Sequence, residues 1–179
     1  MDFHEVIRFW FEELSPKDWW RKSEELDQKI SDRFLNIHTQ AIKGELYLWR
    51  ETPEGRLAEI IVLDQFSRNI YRGDPRSFLY DPIALVLAQE CVQMGFDLQI
   101  DEDKRSFVYM PYMHSESKVI HEEALRIFSL PGSKGSLDFE IAHKKIIDRF
   151  GRYPHRNEIL GRASTPEEIE FLQGPNSSF

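Results

Sequence analysis

The apolar residues of this chain recur three and four positions apart along most of its length, which places them on one face of an α-helix. The pattern is longest over residues 23–43, where the apolar stripe consists of Leu26, Ile30, Phe34, Ile37, Ala41 and Ile42. No stretch combines alternating apolar and polar residues with the β-branched side chains and hairpin turns typical of strands. The sequence therefore predicts an all-α domain in which neighbouring helices stack as antiparallel hairpins.

Signals for helix starts and ends divide this pattern into elements. A capping side chain followed by proline predicts helix starts at Thr52-Pro53, Asp81-Pro82 and Thr165-Pro166. Together with the glycine stops, these signals predict helices over 2–14, 23–43, 52–68, 81–95, 115–130, 137–150 and 165–172. A turn or short helix is expected over 101–110, ended by Pro111. Residues 132–136 are predicted to form a mobile loop, and residues 175–179 a frayed tail.

Composition narrows the class of protein. A chain of 179 residues that is 41% hydrophobic suits one domain spanning residues 1–179. Its net charge of −8 argues against nucleic-acid binding, which normally uses a basic surface. No apolar run approaches the length of about 20 residues that crosses a membrane, and the first residues lack the features of a secretory signal. Because Cys91 is the only cysteine, we expect a cytoplasmic protein, with its oligomeric state left open.

Arginine is concentrated in two windows of the sequence, residues 64–76 and 149–162. The windows contain seven of the fourteen arginines and none of the nine lysines, namely Arg68, Arg72, Arg76, Arg149, Arg152, Arg156 and Arg162. Arginine differs from lysine in forming forked hydrogen bonds to carboxylates, phosphates and backbone carbonyls. The windows therefore predict either a polar binding site or a buried structural network.

Under the first interpretation, side chains from both windows line one pocket for a small anionic molecule or an acidic peptide. The candidate ligand-binding residues are Asp64, Arg68, Asn69, Arg72, Glu116, Arg152, Arg156, Asn157 and Arg162. Histidine titrates near neutral pH, so the candidates for proton transfer are His114, His143 and His155. Asp64 would orient a histidine or pair with Arg68, which lies four residues further along the predicted helix.

Two other interpretations stay open. A small hydrolase of esters or phosphoesters would use one of the histidines as acid or base, although no sharp catalytic motif is present. The phosphate-binding glycine loops and the Gly-x-Ser-x-Gly elbow are missing, so no cofactor is predicted. His114 and His121 lie seven residues apart, a spacing that does not favour a metal site. Alternatively, the arginines are purely structural and tie loops and the last helices to the body of the protein.

Three stretches of the chain resemble the bacterial family called domain of unknown function 924. They are VLDQFSRNIYRGDPRSF at 62–78, YMPYMHSE at 109–116 and RFGRYPHRN at 149–157. Phe9-Trp10-Phe11 and Trp19-Trp20 also fit the family's opening, so the resemblance covers nearly the whole chain. It implies an all-helical fold grouped with the tetratricopeptide-like superhelices, and it implies no activity. Departures are confined to uncharged positions, Ser67, Met110 and Tyr112, where proline, leucine and phenylalanine are more usual.

Overall fold

The computed structural model describes residues 2–130, 134–175 and 177, without the side chain of Lys134. In these residues all regular secondary structure is helical, as predicted. The α-helices are α1 (Phe3–Arg8), α2 (Pro16–Trp19), α3 (Glu24–Ile42), α4 (Pro53–Ile61), α5 (Ser67–Ile70), α6 (Arg76–Leu79), α7 (Asp81–Gln93), α8 (Glu102–Met113), α9 (Lys118–Phe128), α10 (Lys134–Phe150) and α11 (Pro166–Leu172). None of the described helices is long and apolar enough to span a bilayer. The tetratricopeptide-like superhelix and the single domain stay predictions.

Short segments of other helical types complete the fold. Tyr47–Glu51, Asp97–Gln99 and Pro154–Arg156 are 3₁₀-helical, whereas Phe9–Glu13 and Val62–Phe66 are π-helical. The second π-helical segment joins α4 to α5 without a break, so residues 53–70 form one helical rod. A π-helical turn inside an α-helix shifts the face on which the following side chains lie and is frequent at functional sites.

The predicted caps at Thr52 and Thr165 are confirmed by their hydrogen bonds, whereas Asp81 is the first residue of α7 and Tyr80 is its N-cap. The Thr52 hydroxyl accepts from the Gly55 backbone N–H at 3.1 Å, with Pro53 in the first turn. The Thr165 hydroxyl accepts from the Glu168 backbone N–H at 3.2 Å, while the Glu168 carboxylate accepts from the Thr165 backbone N–H at 2.7 Å. Both pairs satisfy N–H groups that the first helical turn leaves without intrahelical partners.

Several predicted boundaries are wrong. Pro111 does not end α8, which continues to Met113 because burial of the proline among core residues outweighs the loss of one backbone hydrogen bond. Residues 134–136 of the predicted mobile loop belong to α10, and residues 132 and 133 lie outside the described part of the chain. Between the predicted helices over 52–68 and 81–95, residues 76–79 form the short helix α6, and residues 157–160 form turns. Of the predicted frayed tail, residues 176, 178 and 179 lie outside the described residues.

The inward face of α10 includes a charged residue. Phe139 is 60% exposed although it is apolar, and the next residue, Glu140, is fully buried. Glu140 lies 2.6 Å from the Nδ1 atom of His121, which is equally buried on α9. This polar pair between neighbouring helices is what the hydrophobic pattern of α10 alone could not reveal.

The rod at 53–70 runs through the centre of the main hydrophobic core. Every residue from 55 to 67 is buried, including the charged Arg56, Glu59 and Asp64. A buried charge without a partner costs several kcal/mol, so these side chains require counter-ions. Glu59 has one in Arg50, whose Nε and Nη2 donate to its two carboxylate oxygens at 2.7 Å.

A smaller apolar cluster lies near the C-terminal end of the chain. It consists of Ile146, Ile147 and Tyr153, with Phe150 and Phe171 packed against it. The 149–162 window begins at this cluster, where Gly151 ends α10 with a φ of 72° that favours glycine. The window is thus positioned by a small apolar cluster together with the polar contacts described below.

The buried histidines predict a loss of stability in mild acid. Burial lowers the pKa of His38 to about 4, from an ordinary 6.5 in the unfolded chain. Below pH 6.5 the unfolded chain therefore takes up a proton that the folded protein does not, and stability falls as the pH drops toward 4. One such histidine lowers the free energy of unfolding by about 2 kcal/mol between pH 7.5 and pH 5. Burial acts in the same direction on His143 and His155.

Urea unfolding at pH 7.5 and pH 5 measures this loss. His38→Gln is expected to show a smaller decrease between the two pH values than the unchanged protein, because one proton-uptake site has been removed. His4→Gln, at a position 65% exposed, is the control and should leave the decrease unchanged. An equal decrease in His38→Gln and in the unchanged protein would contradict this interpretation.

Candidate functional site

A cavity of about 520 Å³ lies where α6, α7, α8 and α9 meet the 149–162 window. Its polar lining consists of Asp81, His114, Ser115, Glu116, Ser117 and Arg156, and its apolar lining includes Phe78, Leu79, Pro82, Leu85, Pro111 and Ile120. The volume falls within the range of pockets that hold small molecules. Three of the predicted functional residues line it, namely His114, Glu116 and Arg156, and Asp64 and Arg68 contact lining residues from behind.

Asp81 joins the two arginine windows. The Arg68 guanidinium donates from Nη1 and Nη2 to the two oxygens of Asp81, both at 3.1 Å. From the other window, Arg156 Nη1 donates to Asp81 Oδ2 at 3.2 Å. Asp81 was predicted only as a helix cap, because nothing in its local pattern distinguishes a capping aspartate from one that pairs with distant arginines.

Asp64 lies in the π-helical segment directly behind the cavity. Its buried carboxylate is 2.7 Å from His114 Nδ1 and 3.2 Å from Arg68 Nη1, and Gln65 Nε2 donates to it at 2.5 Å. Arg68 also donates to the Asp64 backbone carbonyl. Burial by itself would raise the pKa of Asp64, but Arg68 and His114 outweigh it and hold the pKa below its usual range. Asp64 is therefore ionised at neutral pH, and its pairing with Arg68 is as the helical spacing predicted.

This contact fixes the orientation of His114. Because ionised Asp64 can only accept hydrogen bonds, His114 Nδ1 must carry a proton and donate to it. In the neutral ring, Nε2 is then the nitrogen that can accept a hydrogen bond or a proton. His114 lies at the C-terminal end of α8 and lines the cavity, so this side chain combines access to the cavity with a fixed tautomer.

Arg156 has the least compensated charge in the cavity. The residue is 6% exposed, and its guanidinium lies 4.5 Å from the Phe78 ring centre and 4.7 Å from the Tyr153 ring centre. Within the described part of the chain its Nε has no hydrogen-bond partner, and its carboxylate contact is to Asp81, which Arg68 already engages. Burial lowers the pKa of Arg156, while Asp81 acts in the opposite direction. The two aromatic rings hold the cation in place without neutralising it.

Other arginines of the 149–162 window fix the conformation of this segment and attach it to neighbouring elements. Arg162 donates to the two oxygens of Glu116 at 2.6 and 2.9 Å, and its Nε donates to Asn157 Oδ1 at 2.9 Å. The Tyr153 backbone N–H also donates to Glu116, at 2.8 Å. Arg152 donates to both oxygens of Glu168, at 2.7 and 2.8 Å, and so attaches α11. These contacts are of the kind expected if the residues tie the window and the last helix to the body of the protein. The residues concerned are Glu116, Arg152, Asn157 and Arg162.

The remaining residues of the first window lie elsewhere. Asn69 and Arg72 both bind Asp27, with Arg72 Nη2 at 2.7 Å and Asn69 Nδ2 at 2.8 Å from Asp27 Oδ1. They line a separate, open depression of about 340 Å³ along α3. Arg76 pairs with its neighbour Asp74 at 2.9 Å. The structure thus brings Arg68 and Arg156 together and places Asn69 and Arg72 at another surface.

Of the three candidate histidines, His114 is the one that lines the cavity. His143 is buried against Tyr153 and its Nδ1 lies 2.8 Å from the Phe139 carbonyl oxygen, and burial lowers its pKa to about 3. Burial likewise lowers the pKa of His155 to about 4. His143 is thus enclosed and His155 is half-buried, and neither lines the cavity, so neither is placed for proton exchange with a ligand there. Among the described residues, no group of three His, Cys, Asp or Glu side chains is arranged to hold a metal ion.

Comparison with known proteins agrees with the resemblance seen in the sequence. Residues 6–176 match the family described as bacterial protein of unknown function, DUF924, and the chain belongs to that family. The chain is also similar to a solved structure, the protein of unknown function ATU0120 from Agrobacterium tumefaciens. The two are 36% identical with a TM-score of 0.91, over 96% of this chain and 97% of the other. No curated protein gave a match.

Proposed function

We propose that this protein binds a small anionic ligand in the cavity, with Arg156 as the group that contacts the anion. The observation that supports the proposal is the position of Arg156, a buried guanidinium at the cavity wall that shares its carboxylate partner with Arg68. An anion in the cavity would give Arg156 a negative partner that it does not share with Arg68. Consistent with the sequence prediction, we place this binding protein in the cytoplasm.

The carboxylates around Arg156 are already engaged, which is why they leave it under-compensated. Asp64 accepts from Gln65 and contacts Arg68 and His114. Glu116 accepts two hydrogen bonds from Arg162 and a third from the Tyr153 backbone. Five N–H donors are available to a guanidinium, and Arg156 directs one of them to Asp81. An acidic peptide would use the same position by inserting a single carboxylate.

A thermal-shift titration with inorganic phosphate and with short carboxylates tests this proposal. At ten times Kd, a bound anion is expected to raise the unfolding midpoint by about 3–6 °C, because it binds the folded protein alone. Arg156→Gln should abolish the shift, whereas Arg156→Lys should retain part of it. Circular dichroism checks that each variant keeps its helical content.

Arg72→Gln is the matched control, since Arg72 pairs with Asp27 at the other depression. Its shift should equal that of the unchanged protein. If Arg156→Gln retains the full shift, or if no anion of either class raises the midpoint, the proposed function is wrong and the arginines are purely structural.

A small hydrolase is the second candidate, favoured by the contact between Asp64 and His114 at 2.7 Å. A carboxylate that fixes the histidine tautomer is the arrangement used to activate a general base. In this reaction water attacks the carbonyl carbon of an ester, His114 Nε2 takes the water proton, and the proton then passes to the leaving alcohol. Arg156 would stabilise the negative charge that develops on the carbonyl oxygen.

Hydrolysis of p-nitrophenyl esters and p-nitrophenyl phosphate tests the second candidate. If it is right, turnover is lost in His114→Gln by a factor of at least about 10² and kept in His4→Gln, whose histidine is on the surface. The hydrolase proposal is wrong if His114→Gln keeps its turnover. It is also wrong if the unchanged protein hydrolyses neither the esters nor the phosphate.

A further inference from the structure

The residues of the cavity wall indicate the apolar character of the ligand as well as the sign of its charge. Around the polar end formed by Asp81, His114 and Arg156, the wall is built from apolar side chains that include Phe78, Pro82 and Ile120. A bare inorganic anion would contact Arg156 and leave most of this wall facing water. An apolar body attached to the anionic group would cover it.

The apolar wall also continues out to the protein surface. Leu79 lines the cavity and is nevertheless 61% exposed. On α7, directly beside the cavity-lining Pro82 and Leu85, Ile83 and Val86 are exposed as well. Adjacent exposed apolar side chains of this kind mark places where a ligand or partner binds. A ligand whose charged end lies at Arg156 can therefore extend its apolar end along α6 and α7.

The number of charges limits the ligand to one negative group. Arg68 and Arg156 face Asp64 and Asp81, while Arg162 is matched by Glu116, so the fixed charges around the cavity are balanced. One anionic group at Arg156 is drawn to the most weakly compensated cation. A second anionic group on the same ligand would lie on the apolar wall or approach Asp81 and Glu116, where no further cation compensates it.

Resting on the proposed function, we propose that the ligand is an amphipathic monocarboxylate, with its carboxylate at Arg156 and its alkyl or aryl body on the apolar wall. A carboxylate matches the planar guanidinium and carries a single charge. Affinity should then depend on both ends of the molecule. Removing the charge or the apolar body weakens binding, and adding a second charge at the far end weakens it as well.

Isothermal titration calorimetry with straight-chain carboxylates tests this ligand class. From butyrate to octanoate, affinity is expected to rise by up to about fourfold for each added methylene group until the cavity is filled. Octanedioate, which has the same chain length and two carboxylates, should bind at least about tenfold more weakly than octanoate, and so should octanol. Arg156→Gln should abolish octanoate binding.

Leu79→Gln tests the apolar wall without disturbing the charged end. Because Leu79 is 61% exposed, the substitution leaves the core intact, and it should weaken octanoate binding about tenfold while leaving acetate binding unchanged. Leu98→Gln is the control, since Leu98 is 63% exposed and lies outside the cavity lining. Its octanoate affinity should equal that of the unchanged protein.

The outcomes separate this inference from the proposed function. If phosphate and acetate bind through Arg156 but affinity does not rise with chain length, the ligand class is wrong and the anion site survives. If octanedioate binds as tightly as octanoate, the single-charge argument is wrong. If octanoate binds equally well to Arg156→Gln, the binding is non-specific adsorption to apolar surface, and both proposals fail.

Discussion

The carboxylate of Asp64, buried in the central helical rod, is the constraint on which the arrangement of the cavity depends. An ionised side chain at this depth is tolerated only when cations and hydrogen-bond donors surround it. Arg68 and His114 meet that requirement from two different helices. Arg68 is itself half-buried and pairs with Asp81, and Asp81 in turn pairs with Arg156 from the second window. One buried charge thus orders a series of alternating charges that reaches from the core to the cavity.

The series ends at Arg156, whose carboxylate partner is shared with Arg68, and this sharing distinguishes Arg156 from the other arginines of the window. Two other arginines of the 149–162 window are each paired with one carboxylate through two short hydrogen bonds, Arg162 with Glu116 and Arg152 with Glu168. Arg156 has a shared carboxylate and two aromatic rings instead. The structural contacts and the proposed ligand site therefore involve different arginines of these windows. Most of these arginines hold the chain together, and Arg156 is the one whose surroundings favour a ligand.

The fold was predictable from the sequence where the signals are local. The apolar stripe of α3, the cap at Thr52 and the capping box at Thr165 each act within a few residues, so their elements could be located. Pro111 shows the limit, because its effect on α8 was decided by surrounding core residues from elsewhere in the chain. The same holds for α10, where the buried pair of Glu140 with His121 determines which face lies inward.

The candidate site was predictable only in part, for a related reason. The pairing of Asp64 with Arg68 follows from helical spacing. The link from this pair to the second window runs through Asp81, which pairs with both Arg68 and Arg156, and no local pattern in the sequence indicates that role. Arg72 looked equivalent to Arg68 in the sequence. It pairs with Asp27 of α3, 45 residues away, because Arg72 lies in the turn after the end of α5 and not on the helix that carries Arg68.

A double-mutant cycle between Asp81 and Arg156, measured by urea unfolding, tests the shared carboxylate most directly. When Asp81 is replaced by Asn, Arg68 and Arg156 lose the carboxylate that lies between them and repel each other. Arg156→Gln should therefore stabilise that variant while it destabilises the unchanged protein, with a coupling energy of about 1–3 kcal/mol. Equal effects of Arg156→Gln in both backgrounds would contradict the series of charges on which the site depends.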